Sequence, residues 1–131
     1  MKLATCLLNV SEARNSQVIK DIVKAAVKSI ESVHPIGATV LNAFIDKEYN
    51  RSVITIRYKP GIYLKIQWQC IRRLLINCIF SGRLAPLEDA VVAASTVAME
   101  TIDMRLHTGG HPRLGSVDLI PVHPITEVCE H

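Results

Sequence analysis

The pattern of hydrophobic and polar positions divides the chain into six short elements. Residues 3–10 (LATCLLNV) form an apolar run ending at Asn9-Val10-Ser11, which reads as a buried strand. Asn15 or Ser16 can cap a helix running to about residue 32. Within it Val18, Ile19, Ile22, Val23, Ala26, Val27 and Ile30 fall on one face, with Lys20, Asp21, Lys24 and Lys28 opposite. His34-Pro35-Ile36-Gly37 breaks that helix. Ala38–Ile45 and Ser52–Tyr58 are rich in β-branched residues and are separated by Asp46–Arg51, which predicts a strand pair. From Glu88 to Met104 a second stripe consists of Val91, Ala94, Val97, Ala98 and Ile102. Ser116–Val122 is the predicted final strand, and Pro121 and Pro124 call for an edge position or a bulge there.

The resulting order, βαββαβ with a helix after strands 1 and 3, predicts a ferredoxin-like domain of the α/β (α+β) class. One sheet carries its helices on one face, with right-handed crossovers. Residues 58–86 do not fit this scheme and read as an irregular insertion. Its centre, Tyr63–Phe80 (YLKIQWQCIRRLLINCIF), is apolar and basic and follows neither a two-residue nor a 3.6-residue period. Three readings stay open: an extra helix on the open sheet face, an amphipathic helix on a membrane surface, or a loosely ordered insertion. Packing as an imperfect insertion is the default. Arg72-Arg73 at its middle argues against spanning a bilayer.

Composition narrows the class. A chain of 131 residues makes one domain, and 49% hydrophobic with 21% charged residues excludes a disordered chain. Aromatics are only 5%, so Val, Ile, Leu and Ala must build the interior. No segment reaches about eighteen uncharged apolar residues, and the N-terminus lacks a cleavage signature, so a cytoplasmic location is expected. Cys6, Cys70, Cys78 and Cys129 show no CxxC spacing and read as reduced thiols. The net charge of +3 is uneven: Arg51 to Arg83 holds seven basic residues and no acid. Such asymmetry can mark a nucleic-acid or membrane surface. Here it coincides with the stretch that looks foreign to the rest, and neither a nucleic-acid nor a membrane partner is expected.

The run His107-Thr-Gly-Gly-His-Pro-Arg-Leu-Gly115 carries the candidate chemistry. Gly109 and Gly110 are free to take positive φ angles, and Pro112 pushes His111 into extended geometry. An ionisable ring held this way, with Arg113 two residues on, suits proton transfer or anion binding. A plain helix-to-strand connection with two surface histidines is the competing reading. The set His107, His111, His123, His131 and Cys129 raises the question of zinc. The glycines and Pro112 deny His107 and His111 the helical spacing of a metal-binding pair, so no metal is expected.

Ile102–Asp118 (IDMRLHTGGHPRLGSVD) resembles the signature of the formiminotransferase N-terminal subdomain family. Cys6–Asn15 (CLLNVSEARN) and Tyr49–Thr55 (YNRSVIT) resemble two further stretches of that family, in the same order. The resemblance covers about residues 3–57 and 87–128. It implies transfer of a formimino group from N-formimino-L-glutamate to tetrahydrofolate, a co-substrate, as a one-carbon step of histidine catabolism. The histidine of the family's His-Pro-Arg motif is its proposed catalytic residue, and that position here is His111. The folate N5 amine must lose a proton as it attacks, and the departing glutamate nitrogen must gain one; an imidazole with an ordinary pKa of about 6.5 serves both steps.

Arg113 and Arg51 are candidates for pairing with substrate carboxylates, which match the guanidinium fork. Arg51 is equally open to a surface pair with Asp46 or Glu48. Asn9 and Asn50 offer amide hydrogen bonds at strand ends, where a turn role competes. Asp118 is a candidate for orienting His111 or a neighbouring amide, or for capping a strand end, and Asp103 for a local pair with Arg105. Ala13 stands where the family's first motif commonly has glycine. Family members with transferase activity continue into a second subdomain, and residues 1–131 read as a truncated form of the first. The isolated chain is therefore expected to be weak or inactive unless a homo-oligomer or a partner completes the cleft. The alternative is a non-catalytic interaction domain that keeps the fold.

Overall fold

Strand β1 (Leu3–Val10) sends Ala4, Cys6, Leu8 and Val10 to one side, where all four are buried, and leaves Leu7 and Asn9 half-buried on the other. The structure, a computed structural model, describes residues 3–33, 38–58 and 85–125. Helix α1 (Ser16–Val33) starts where Asn15 Oδ1 accepts the N–H groups of Gln17 (3.1 Å) and Val18 (3.3 Å), a side-chain cap for amides with no helical partner. Its apolar stripe is the expected one, with Ile19, Ile22 and Ala26 buried. Strands β2 (Ala38–Asp46) and β3 (Arg51–Tyr58) pair antiparallel, with a register irregularity between Val40 and Asn42. In β3 the side chains of Ser52, Ile54, Ile56 and Tyr58 are buried, in strict alternation.

Helix α2 (Ala85–Thr101) buries Leu87, Ala90, Val91, Ala94 and Ala98. It begins and ends about three residues before the sequence expectation. Pro86 suits a first turn, where its missing N–H costs nothing, and Glu88 complements the positive end of the helix dipole. After Thr101 the chain turns instead of continuing: Leu106 and His107 donate to the carbonyls of Asp103 and Met104. The stripe reaching Met104 was apolar because Ile102 and Met104 still face the core from this turn, not because the helix extends that far.

The sheet order is β2-β3-β1-β4, with every neighbouring pair antiparallel, where β4 is Val122–Ile125. This is the ferredoxin-like α+β arrangement. The residues of β1 and β3 that are buried join those of α1 and α2 in one core, so both helices lie on the same face of the sheet.

The final strand departs from the expected Ser116–Val122. Residues 116–121 do run along β1, but Asn9 donates to Leu119 O and accepts from Asp118 N, so two residues oppose one. The pairing slips by one between Val10↔Val117 and Cys6↔Val122. Regular pairing begins only at Val122, on the sheet edge, where a prolyl residue is tolerated at 124. Residues 59–84 of the expected insertion lie outside the described residues, as do Cys70, Cys78 and Cys129. No helix among the described residues is long and apolar enough to cross a membrane.

Candidate active site

Three connections meet at one end of the sheet: residues 11–15 after β1, the 46–51 turn between β2 and β3, and the 102–118 loop after α2. Asn50 ties them together. It is buried and sits at φ 51°, a left-handed backbone that asparagine tolerates better than most residues. Its Oδ1 accepts the N–H of Ala13 (2.9 Å), and its Nδ2 donates to Thr108 O (3.1 Å). Its own carbonyl lies 3.1 Å from His107 Nε2. Because a carbonyl can only accept, Nε2 of His107 carries the proton. His107 Nδ1 is buried without a hydrogen-bond partner among the described residues.

The turn itself is set by Asp46, whose Oδ1 accepts the N–H groups of Glu48 and Tyr49, both at 3.0 Å. The first connection is closed by Glu12, whose Oε1 accepts the N–H groups of Ala13, Arg14 and Asn15 at 2.8–3.0 Å. Arg14 reaches across to Thr108 Oγ1 (2.8 Å), and Ser11 Oγ donates to Gly115 O (2.7 Å). Gly109 is required by space. A Cβ there would collide with the Tyr49 carbonyl oxygen, so the loop can lie on the turn only with glycine at 109. Gly109 and Gly110, free to take positive φ, do not use it, and the left-handed residue of the site is Asn50.

Beyond the glycines, the loop is held from below by Arg51 and Asp118. Their side chains form an ion pair, each largely withdrawn from solvent. Arg51 Nη2 also donates to Pro112 O (3.0 Å), and Asp118 Oδ1 accepts Leu114 N–H (2.8 Å). On this support His111 is half-buried, with Nδ1 2.6 Å from Pro112 O. The carbonyl places the proton on Nδ1 and leaves the Nε2 lone pair available, and among the described residues Nε2 has no hydrogen-bond partner. The Tyr49 ring meets the imidazole edge-on, centroids 5.4 Å apart at 60°.

Comparison with known proteins places the chain in a family. The family model "Formiminotransferase domain, N-terminal subdomain" matches residues 3–131. The chain belongs to this family. It is 30% identical over 125 residues to a formiminotransferase cyclodeaminase-like protein of Arabidopsis thaliana, covering 95% of this chain and 34% of that protein. It is 31% identical over 127 residues to the glutamate formimidoyltransferase of Streptococcus pyogenes serotype M1, covering 97% and 32%. With the formimidoyltransferase-cyclodeaminase of Rattus norvegicus it shares 28% over 127 residues, covering 97% and 18%. The chain thus spans about a third of the length of the first two relatives.

Within this formiminotransferase N-terminal subdomain the residues expected from the sequence fall into two groups. His111, Arg51, Asn50 and Asp118 converge on the 107–118 loop. Asn9 turns its Nδ2 back to Leu7 O (2.8 Å) within β1. Arg113 donates to His107 O (2.9 Å), which closes residues 107–113 into a turn within the loop. Arg51 pairs with Asp118 and not with Asp46 or Glu48, and Asp118 supports the Leu114 amide and not the imidazole. Asp103 makes the local pair with Arg105, which holds its carboxyl down at about 2. Tyr49 and His107 were not singled out as site residues by sequence. The available signal was their place inside the same two motifs, directly before Asn50 and four residues before His111. No group of three or more His, Cys, Asp or Glu side chains among the described residues is arranged to hold a metal ion.

Proposed function

We propose that this chain binds tetrahydrofolate and N-formimino-L-glutamate and transfers the formimino group, with His111 moving the protons. The observation that supports this reading most is the state of the His111 ring: Nδ1 is fixed on Pro112 O, and Nε2 is left as a base beside an exposed aromatic ring. Folate N5 attacks the formimino carbon, and its proton passes to His111 Nε2 as the N5–C bond forms. The imidazolium then delivers that proton to the glutamate nitrogen as the old C–N bond breaks. Glutamate and 5-formimino-tetrahydrofolate leave, and His111 is neutral again. The pair Arg51–Asp118 keeps the loop in place and withdraws Arg51 from solvent, so recognition of a substrate carboxylate falls to Arg113, which is exposed and has guanidinium N–H groups beyond the Nη2 held by His107 O.

The test is turnover by the full chain with both substrates, for the natural sequence and for His111→Gln. A glutamine keeps hydrogen-bonding capacity but cannot carry a proton, so the rate is expected to fall about 100- to 10,000-fold with substrate binding retained. Undiminished turnover in the variant, or none in the natural chain at saturating substrates, would overturn the catalytic role. In the second case the exposed Leu41, Phe44 and Ile45 of the edge strand β2 favour a non-catalytic interaction domain.

A further inference from the structure

Tyr49 combines a fixed backbone with an exposed ring. Its N–H is held by Asp46 Oδ1, its carbonyl oxygen abuts Gly109, and the next residue is locked by side-chain hydrogen bonds to Ala13 and Thr108. The residue is nevertheless 47% exposed, with its edge-on contact to His111 as its ring partner. An aromatic group already ordered on its backbone loses little freedom when a ligand covers it.

We propose that Tyr49 and His111 form an aromatic corner that receives the fused pterin ring of the folate by its flat pyrimidine half, with Tyr49 as a substrate-binding residue. This rests on the transfer reading above and assigns to a named side chain the placement that reading requires. The nucleophilic N5 is a member of a fused ring, so its proton comes within reach of His111 only if that ring lies against the imidazole. Tyr49, 5.4 Å away centroid to centroid and inclined at 60°, offers the second wall of such a placement. Stacking on a pre-positioned aromatic side chain is insensitive to the phenol hydroxyl and sensitive to loss of the ring. Formiminoglutamate is acyclic and has no ring to place there, so Tyr49 discriminates between the two substrates of one site.

The experiment is calorimetric titration of the full chain with tetrahydrofolate under reducing conditions, and separately with formiminoglutamate. Tyr49→Ala is expected to weaken folate binding about 5- to 100-fold, and Tyr49→Phe to leave it within about twofold. Formiminoglutamate binding is unchanged in both. In the natural chain the Tyr49 ring protons move upfield in the NMR spectrum as folate is added, a readout independent of how any variant folds. Folate binding by Tyr49→Ala equal to that of the natural chain, or an equal loss in Tyr49→Phe, would overturn the corner while the His111→Gln assay still decides the transfer reading. Failure of the natural chain to bind tetrahydrofolate at millimolar concentration would overturn both.

Discussion

Arg51 and Asp118, 67 residues apart in sequence, form a largely buried ion pair whose two members also hold opposite sides of the same loop, at Pro112 O and Leu114 N. Removing one partner leaves the other charge uncompensated. Arg51→Met or Asp118→Ala is therefore expected to cost about 3 kcal/mol in urea unfolding, read as a lower midpoint at constant slope. The double variant Arg51→Met, Asp118→Asn removes both charges and keeps an acceptor for Leu114 N–H. It should be more stable than Arg51→Met alone. A double variant less stable than that single one would show that the pair's charges are not what the fold depends on.

Asn50 does two separable jobs, holding a left-handed backbone and bonding Ala13 N–H and Thr108 O with its amide. Asn50→Gly keeps the first and loses the second, leaving Ala13 N–H to Glu12 Oε1 alone and Thr108 O without this donor, at about 1–2 kcal/mol. Asn50→Ala loses both, and should cost about 1 kcal/mol more because alanine disfavours positive φ. Equal losses in thermal or urea unfolding would mean that the backbone conformation contributes nothing to the choice of residue.

The two adjacent glycines are expected to behave differently. At Gly109 an added methyl meets backbone, so Gly109→Ala must push the loop off the 46–51 turn, at about 1–3 kcal/mol. At Gly110 the nearest atom is Tyr49 Cδ1 at 3.8 Å, an ordinary contact, and Gly110→Ala should stay within about 0.5 kcal/mol of the natural chain. In NMR, only the first should erase the ring-current effect between Tyr49 and His111.

What could be read from the sequence was what depends on local patterning. The α1 stripe, its cap at Asn15 or Ser16 and the β-branched run of β3 are properties of consecutive residues, and the stripe, a cap at Asn15 and the strand stand in the structure. The end of α2 and the start of β4 were misplaced for a common reason. Ile102 and Met104 are apolar because the turn faces the core, and residues 116–121 are strand-like in composition but slip against Asn9. The site divides the same way. His111 was visible because glycine, proline and arginine surround it in sequence. The Arg51–Asp118 pair and the Asn50–His107 contact join segments tens of residues apart, and residue type alone gave Arg51 several partners of equal merit.

Cys6 is sealed in the core, and burial pushes its thiol up to about 11 from an ordinary 9.0. Thiolate is the reactive form, so a rise of about two units lowers its fraction near pH 8 about 100-fold before access is considered. Peptide-resolved alkylation with iodoacetamide should leave Cys6 unmodified in native protein and modify it fully in urea. Labelling at equal rates in both conditions would contradict its place between the sheet and the helices.

Asp103 and Arg105 provide a pH test with a defined sign. The hydrogen bonds from the Arg105 side chain and N–H hold the Asp103 carboxyl at about 2, below its ordinary 3.8. A carboxylate whose pKa is lower folded than unfolded binds fewer protons in the native state. The pair's contribution is therefore present above about pH 4 and is lost as the pH falls through about 2. Both side chains are on the surface, so salt screens the interaction and the effect on stability is small. Arg105→Ala removes the side-chain bonds and keeps the backbone N–H, so by NMR Asp103 should titrate higher than in the natural chain but still below its ordinary 3.8, and the stability difference from the natural chain should shrink between about pH 4 and pH 2. An Asp103 titration identical in the two proteins at low salt would mean that the turn after α2 does not hold this pair in solution.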